Sequence, residues 1–161
     1  SNHASLQIVD TLTLMLAVKL DDLANYYCLI GKITADGAAY EYALFTNATG
    51  EMIFQFSDAG GVNRAVTSTA MGLLAATQYD IAVTFSDAAN NVAFYKNGNW
   101  IEDKAQANTP AATVGSVCIG RQTNDVWGTV GKIALPTIYN VTKTATQISV
   151  ISSQRRRLLE I

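Results

Sequence analysis

The chain has 161 residues, 49% hydrophobic and 15% charged, enough apolar material for one packed domain and too little charge for a disordered segment. A formal net charge of −2 and a pI near 5.2 exclude the basic field that a nucleic-acid partner needs. No apolar run reaches bilayer length, so no membrane insertion is expected, and Ser1 to Asp10 lacks the layout of a signal peptide.

The first strong signal is alternation. Leu12, Leu14, Leu16, Val18 and Leu20 fall on one face of Thr11 to Leu20, with Thr11, Thr13, Met15, Ala17 and Lys19 on the other. A period of two over ten residues predicts a half-buried strand. Further strands are expected at Tyr26 to Lys32, Tyr40 to Phe45 and Met52 to Phe56, and one more around Ile81, Val83 and Phe85. Between them, Asn47 to Gly50, Asp58 to Gly61 and Asp87 to Asn91 carry the Asn, Asp and Gly of tight turns. Asn97-Gly98 supplies the two positive-φ positions of a type I′ turn and predicts a hairpin over Val92 to Ile101. Gly115 to Gly120 and Val130 to Tyr139 complete the strands, with Pro136 marking the last as an edge or a bulge.

One helix closes the chain. Thr144 and Gln147 form a T-x-x-Q capping box, Ile148 and Ile151 an apolar stripe, and Arg155 to Arg157 a cationic last turn. The arginine run reads as a solvated helix end, with a contact to a neighbouring domain or anionic surface as the alternative. Short strands, close turns and a single late helix predict an all-β fold: a two-sheet antiparallel sandwich with one short C-terminal helix. Residues 1–161 read as a single domain without repeats or linkers.

Chemistry is sparse. His3 is the one histidine, at the chain's start, and Cys28 and Cys118 lack the spacing of a metal site. A Ser-His-Asp or Cys-His centre needs a histidine held in the core. The cysteines read as small buried hydrophobes rather than a disulfide.

The order of elements resembles laminin-G-like domains of the concanavalin A-like jelly-roll class. Tyr79 to Phe85 followed by Val92 to Gly98 resembles that family's central hairpin, and Ser116-Val117-Cys118-Ile119-Gly120-Arg121 its "IGr" strand. Trp127-Gly128, Gly131 to Leu135 and Ile138-Tyr139-Asn140 resemble its ending, and Thr144 to Ile151 takes the place of its closing helix. Upstream, Leu6 to Val18 and Leu29 to Lys32 match two further strands, while the family's usual first strand has no counterpart here.

The resemblance implies a jelly roll and a binding role. The same class includes glycoside hydrolases with a Glu-x-Asp-x-x-Glu strand, whose acids flank the scissile bond. Glu41, Glu51, Glu102 and Glu160 all lack that neighbourhood, so no enzyme is expected, and Glu102-Asp103 reads as solvated surface. By resemblance to pentraxins, calcium is the candidate cofactor. Asp36 before Tyr40 would supply one half-site, and Gln122 and Asp125 after Gly120 the other. Loop side chains bonding their own backbone are the competing reading.

A saccharide needs aromatic faces and planar polar groups. Tyr40 and Trp127 are the candidate aromatics, with Arg121 and Asn124 as polar partners; Tyr42 and Trp100 also lie near strand ends. Trp127 also suits packing beneath its own loop, and Trp100 suits covering a sheet edge. The expected function is a non-catalytic carbohydrate-binding module of a secreted or surface protein, taking a glycan or protein ligand, extracellular or at a cell or virion surface. The alternative is a structural or adhesion domain, as in a phage tail or multidomain surface protein, within a larger chain or a homo-oligomer.

Overall fold

The structure, a computed structural model, describes residues 6–121 and 128–159. In chain order its elements are β1 (Thr11–Leu20), β2 (Tyr27–Ile33), β3 (Tyr40–Thr46), β4 (Met52–Ser57), β5 (Asn63–Ser68), β6 (Gln78–Ser86), β7 (Asn91–Lys96), β8 (Asn99–Ala105), β9 (Ser116–Ile119), β10 (Gly131–Tyr139) and α1 (Ala145–Leu159). They form two five-stranded antiparallel sheets, ordered β10-β1-β6-β7-β8 and β5-β4-β3-β2-β9. This is the two-sheet sandwich that the strand pattern predicts and the jelly roll that the resemblance implies.

The inner faces meet in one core. The even-numbered leucines of β1, with Val18, pack with Leu29, Leu44, Phe54, Ile81, Val83 and Phe94. Phe85 of the first sheet crosses the gap to the second. Its ring stacks on Phe54 at 5.9 Å between centroids and meets Phe56 at 5.7 Å. Aromatic contacts of this kind add to the burial energy of the rings themselves.

Local signals hold where backbone chemistry decides the outcome. Asn97 and Gly98 have φ of +55° and +82°, and Lys96 pairs with Asn99 across the turn. The helix crowds Gly98 as well, since a Cβ there would lie 3.0 Å from Ser152 Cβ. Pro136 stands on edge strand β10 and also at a bulge. The register jumps from Met15–Thr137 to Ala17–Ala134, leaving Leu135 and Pro136 opposite Leu16. The Gln147 N–H donates to Thr144 Oγ1 at 3.3 Å, and the Thr144 N–H donates to Gln147 Oε1 at 3.0 Å, closing the capping box.

The helix lies on the outer face of the first sheet, where Ile148 and Ile151 pack on Met15, Ala82, Ala93, Tyr95 and Tyr139. β1 is therefore covered on both faces over much of its length rather than half-buried. Arg155 departs from the solvated-end reading. It is 6% exposed, its Nε donates to Asp80 Oδ1 at 2.9 Å, and its Nη1 donates to Thr137 Oγ1 at 3.0 Å. Arg156 and Arg157 are exposed. The helical period puts Arg155 on the stripe of Ile148 and Ile151, so the apolar face carries a cation with its counter-ion beneath.

Glu102 is likewise not solvated surface. Its carboxylate accepts the Ser68 hydroxyl at 2.5 Å and the Ala70 N–H at 3.0 Å, and pairs with Lys104 at 2.7 Å. It thereby stitches edge strand β8 of one sheet to the end of β5 in the other. Burial opposes ionisation there, but Lys104, Ser68 and the Ala70 N–H together hold its carboxyl down to about 2.

Candidate binding face

The two outer sheet faces differ. α1 occupies one; the outward residues of the other form rows across β9, β2, β3, β4 and β5. One row runs Cys118, Gly31, Ala43, Gln55, Ala65. On one side lie Cys28, Phe45, Ile53 and Thr67, and on the other Ser116, Ile33 and Tyr40, then Ser57 and Asn63. Apart from Gln55 the residues of the central row are small, and the strands β2 and β3 approach closely there. A Cβ on Gly31 would lie 2.8 Å from Ala43 Cβ.

Over β2 and β3 this face is buried and apolar: Cys28, Ile33, Tyr40, Ala43, Phe45 and Ile53 form one cluster, with Tyr26 packed against it. Phe45 has Tyr26 at 5.4 Å and Tyr40 edge-on at 5.8 Å. Burial, with Tyr40 nearby, pushes the Tyr26 hydroxyl up to about 12, and burial, with Cys118 adding, pushes the Cys28 thiol up to about 12. Both cysteines are free; Cys118 is only partly covered.

Over β4 and β5 the face opens. Gln55 and Thr67 are half-buried, and Asn63 and Ala65 exposed. The Gln55 amide and the Thr67 hydroxyl make no hydrogen bond to a described residue, whereas Asn63 is built in. Its Oδ1 accepts the Ser57 hydroxyl at 2.6 Å, and its Nδ2 donates to the Ala38 carbonyl at 3.3 Å. Ser57 Oγ in turn accepts the Tyr40 N–H at 2.9 Å. This chain ties the β2–β3 turn to the start of β5 and fixes one end of the open face. Beside it, Asp58 accepts the Gly60 and Val62 N–H groups and pairs with Arg64 at 2.7 Å. The Val62 bond, then Arg64, keep the Asp58 carboxyl below the ordinary carboxylate range.

The residues singled out from sequence fall in several places. Tyr40 is 4% exposed and packed against Phe45. Asp36 is exposed in the β2–β3 turn, where its Oδ1 accepts the Thr34 hydroxyl at 2.6 Å and the Ala38 N–H at 3.0 Å; those bonds hold its carboxyl low. Arg121 is exposed just beyond β9. Gln122, Asn124, Asp125 and Trp127 lie outside the described residues, as do His3 and Glu160. The register sets the roots of the two proposed calcium half-sites at opposite ends of β2. The Gly120 N–H bonds Leu29 O and the Thr129 hydroxyl bonds Cys28 O, while the Asp36 turn begins at Thr34. That separation is about 16 Å of extended strand. Among the described residues no group of three or more His, Cys, Asp or Glu side chains could hold a metal ion.

Trp100 is 55% exposed on edge strand β8, its Nε1–H donating to Asp103 of the same strand at 2.9 Å. The described glutamates have internal partners: Lys32 for Glu41, Asn47 for Glu51, and Ser68 and Lys104 for Glu102. Sequence reasoning passed over Gln55, Asn63 and Thr67. Gln55 carried a readable signal, as the one polar outward position in the strand Met-Ile-Phe-Gln-Phe.

Two antiparallel sheets, one outer face under a helix and the other partly open, define a lectin-like jelly-roll domain. The chain belongs to the concanavalin A-like lectin/glucanases superfamily, whose laminin-G family model matches residues 1–149. Solved structures with the same fold include the CBM40 of a Ruminococcus gnavus IT-sialidase bound to α2,3-sialyllactose, at TM-score 0.73 and 12% identity over 92% of this chain and 86% of that one. A heptameric pentraxin from Limulus polyphemus matches at 0.65 and 14%, over 91% and 73%. The binding domain of botulinum neurotoxin serotype G matches at 0.70 and 12% over 95% of this chain, which spans only 39% of that domain. A search of curated protein sequences matched none of them. Among the described residues no helix is long and apolar enough to cross a membrane.

Proposed function

We propose that the domain is a non-catalytic glycan-binding module of an extracellular or surface protein, and that its saccharide lies on the open β4–β5 part of the outer face. The carrying observation is the pair of unpartnered polar groups there, the Gln55 amide and the Thr67 hydroxyl. Of Gln55's cross-strand neighbours, Ala65 on β5 is exposed and leaves the surface low on that side, while Ala43 on β3 lies within the buried cluster. A planar amide on a flat, side-chain-poor surface suits the hydroxyls of a sugar ring, and Asn63 and Asp36 add a polar rim. The shared fold with a sialyllactose-bound module supports the same reading.

A second reading, a structural or adhesion domain binding protein, draws support from the exposed apolar Val114 and Ile119 flanking and ending edge strand β9. An array of neutral and sialylated oligosaccharides, probed with calcium and again with chelator, separates the two. Binding of at least one glycan, weakened about tenfold or more by Gln55→Ala, is expected from the loss of one or two sugar hydrogen bonds. Absence of any glycan binding in both conditions overturns the proposal. A loss confined to chelator would assign calcium a part, with Asp36, Gln122 and Asp125 as its candidate ligands.

A further inference from the structure

The helix-covered face holds a different feature at the end reached by the last turn of α1. Across β10, β1 and β6 the register sets Lys132, Lys19 and Gln78 in one row, and Ala134, Ala17 and Asp80 in the next. Lys19 and Lys132 are direct cross-strand partners. Like charges so placed repel and cost stability, yet neither ammonium has a hydrogen bond or an ion pair to a described residue. The nearest acid along these rows, Asp80, is already paired with Arg155. Between the lysines and the helix lies a cavity of about 110 Å³, lined by Ala17, Val18, Ala134 and Leu159 as well as Lys19, Gln78 and Lys132. Arg155, one helical turn before Leu159, is buried and leaves its Nη2 without a partner among the described residues.

We propose that this cavity binds a single oxyanion group, a sulfate ester or carboxylate, carried on a small saccharide. Two unpaired ammoniums side by side form a point-charge clamp for such a group, and the Gln78 amide can donate a further bond. The alanine floor and Leu159 offer an apolar surface for the C–H face of the attached ring. The cavity's small volume admits one such group rather than a polyanion, which requires an extended basic surface. The site does not depend on the β4–β5 face, which belongs to the other sheet.

The test is a titration of the ¹⁵N-labelled domain at fixed ionic strength with galactose 6-sulfate, galactose and sodium sulfate. Galactose 6-sulfate should shift the amides of Lys19, Gln78 and Lys132, sodium sulfate should do so more weakly, and galactose should leave them unmoved. Lys19→Gln should weaken binding roughly tenfold, as expected for one charge-assisted bond. It should also melt no lower than the parent, because it removes a repulsive pair. No shift at these amides, equal shifts with galactose or with sodium sulfate, or unchanged affinity in a folded Lys19→Gln would each overturn the proposal. Shifts at Gln55 and Thr67 report on the other face and are read separately.

Discussion

Lys32 Nζ lies 2.7 Å from Glu41 Oε2, with the two side chains 1% and 0% exposed. The same carboxylate accepts the Ile8 N–H at 2.6 Å and the Thr113 N–H at 2.8 Å. Glu41 thus pins the segment before β1 and the segment leading into β9 onto β3, and Lys32 balances its charge. Glu41 stands opposite no β2 residue, where the register steps from Lys32–Tyr42 to Ile33–Tyr40.

Breaking that pair should be costly. Lys32→Met leaves a buried carboxylate without its cation, and a loss of roughly 3–5 kcal/mol is expected. Lys32→Met combined with Glu41→Leu should cost less than the two single changes added together. Urea unfolding of the four proteins measures this, and strict additivity would contradict the coupling.

Docking of the helix should depend on Arg155 in the same way. Arg155→Ala strands Asp80 beneath α1, with a loss of about 3 kcal/mol expected. Arg155→Lys should recover little of it, since an ammonium cannot reproduce the fork to Asp80 and Thr137. Arg156→Ala, at an exposed position, should stay within about 0.5 kcal/mol of the parent. Amide exchange in α1 would show the difference directly.

Glu102 gives a pH signature. Its folded carboxyl is held at about 2 against an ordinary value near 4.5. A depressed carboxyl contributes stability above the unfolded value, and that contribution fades as pH falls through the folded one. The stability gap between the parent and Glu102→Gln should therefore be widest above pH 4.5 and close as pH approaches 2. A gap that stays constant across that window, followed by thermal unfolding, would contradict the bonding at Ser68 and Lys104.

Phe85→Ala removes the ring that joins the sheets at Phe54 and Phe56 and should cost roughly 3–5 kcal/mol. Trp100→Ala, at a ring 55% exposed, should cost far less in the same denaturation experiment.

Much of the fold was legible in local chemistry. Thr11 to Leu20 was bounded by its alternation alone, and Asn97-Gly98 and the Thr144–Gln147 box each resolve into the geometry their residue types require. β5 was not readable: Asn-Arg-Ala-Val-Thr-Ser is an edge strand with only Val66 and Ser68 buried, so it carries almost no apolar pattern. Arg155 and Glu102 were misread because charge in a sequence says nothing of a counter-ion that only tertiary structure brings near. Tyr40 lay near a predicted strand end, but its ring belongs to a buried cluster with Phe45. The open face could not be placed until the register showed which outward residues share rows and which sheet the helix covers.

The most direct test of a glycan site on β4–β5 is amide chemical-shift mapping with the best array ligand. Shifts should concentrate at Gln55, Asn63, Ala65 and Thr67, and Gln55→Ala should demand about tenfold or more ligand to produce them while leaving the remaining spectrum unchanged. Shifts confined to other surfaces, or binding that survives Gln55→Ala intact, would contradict it.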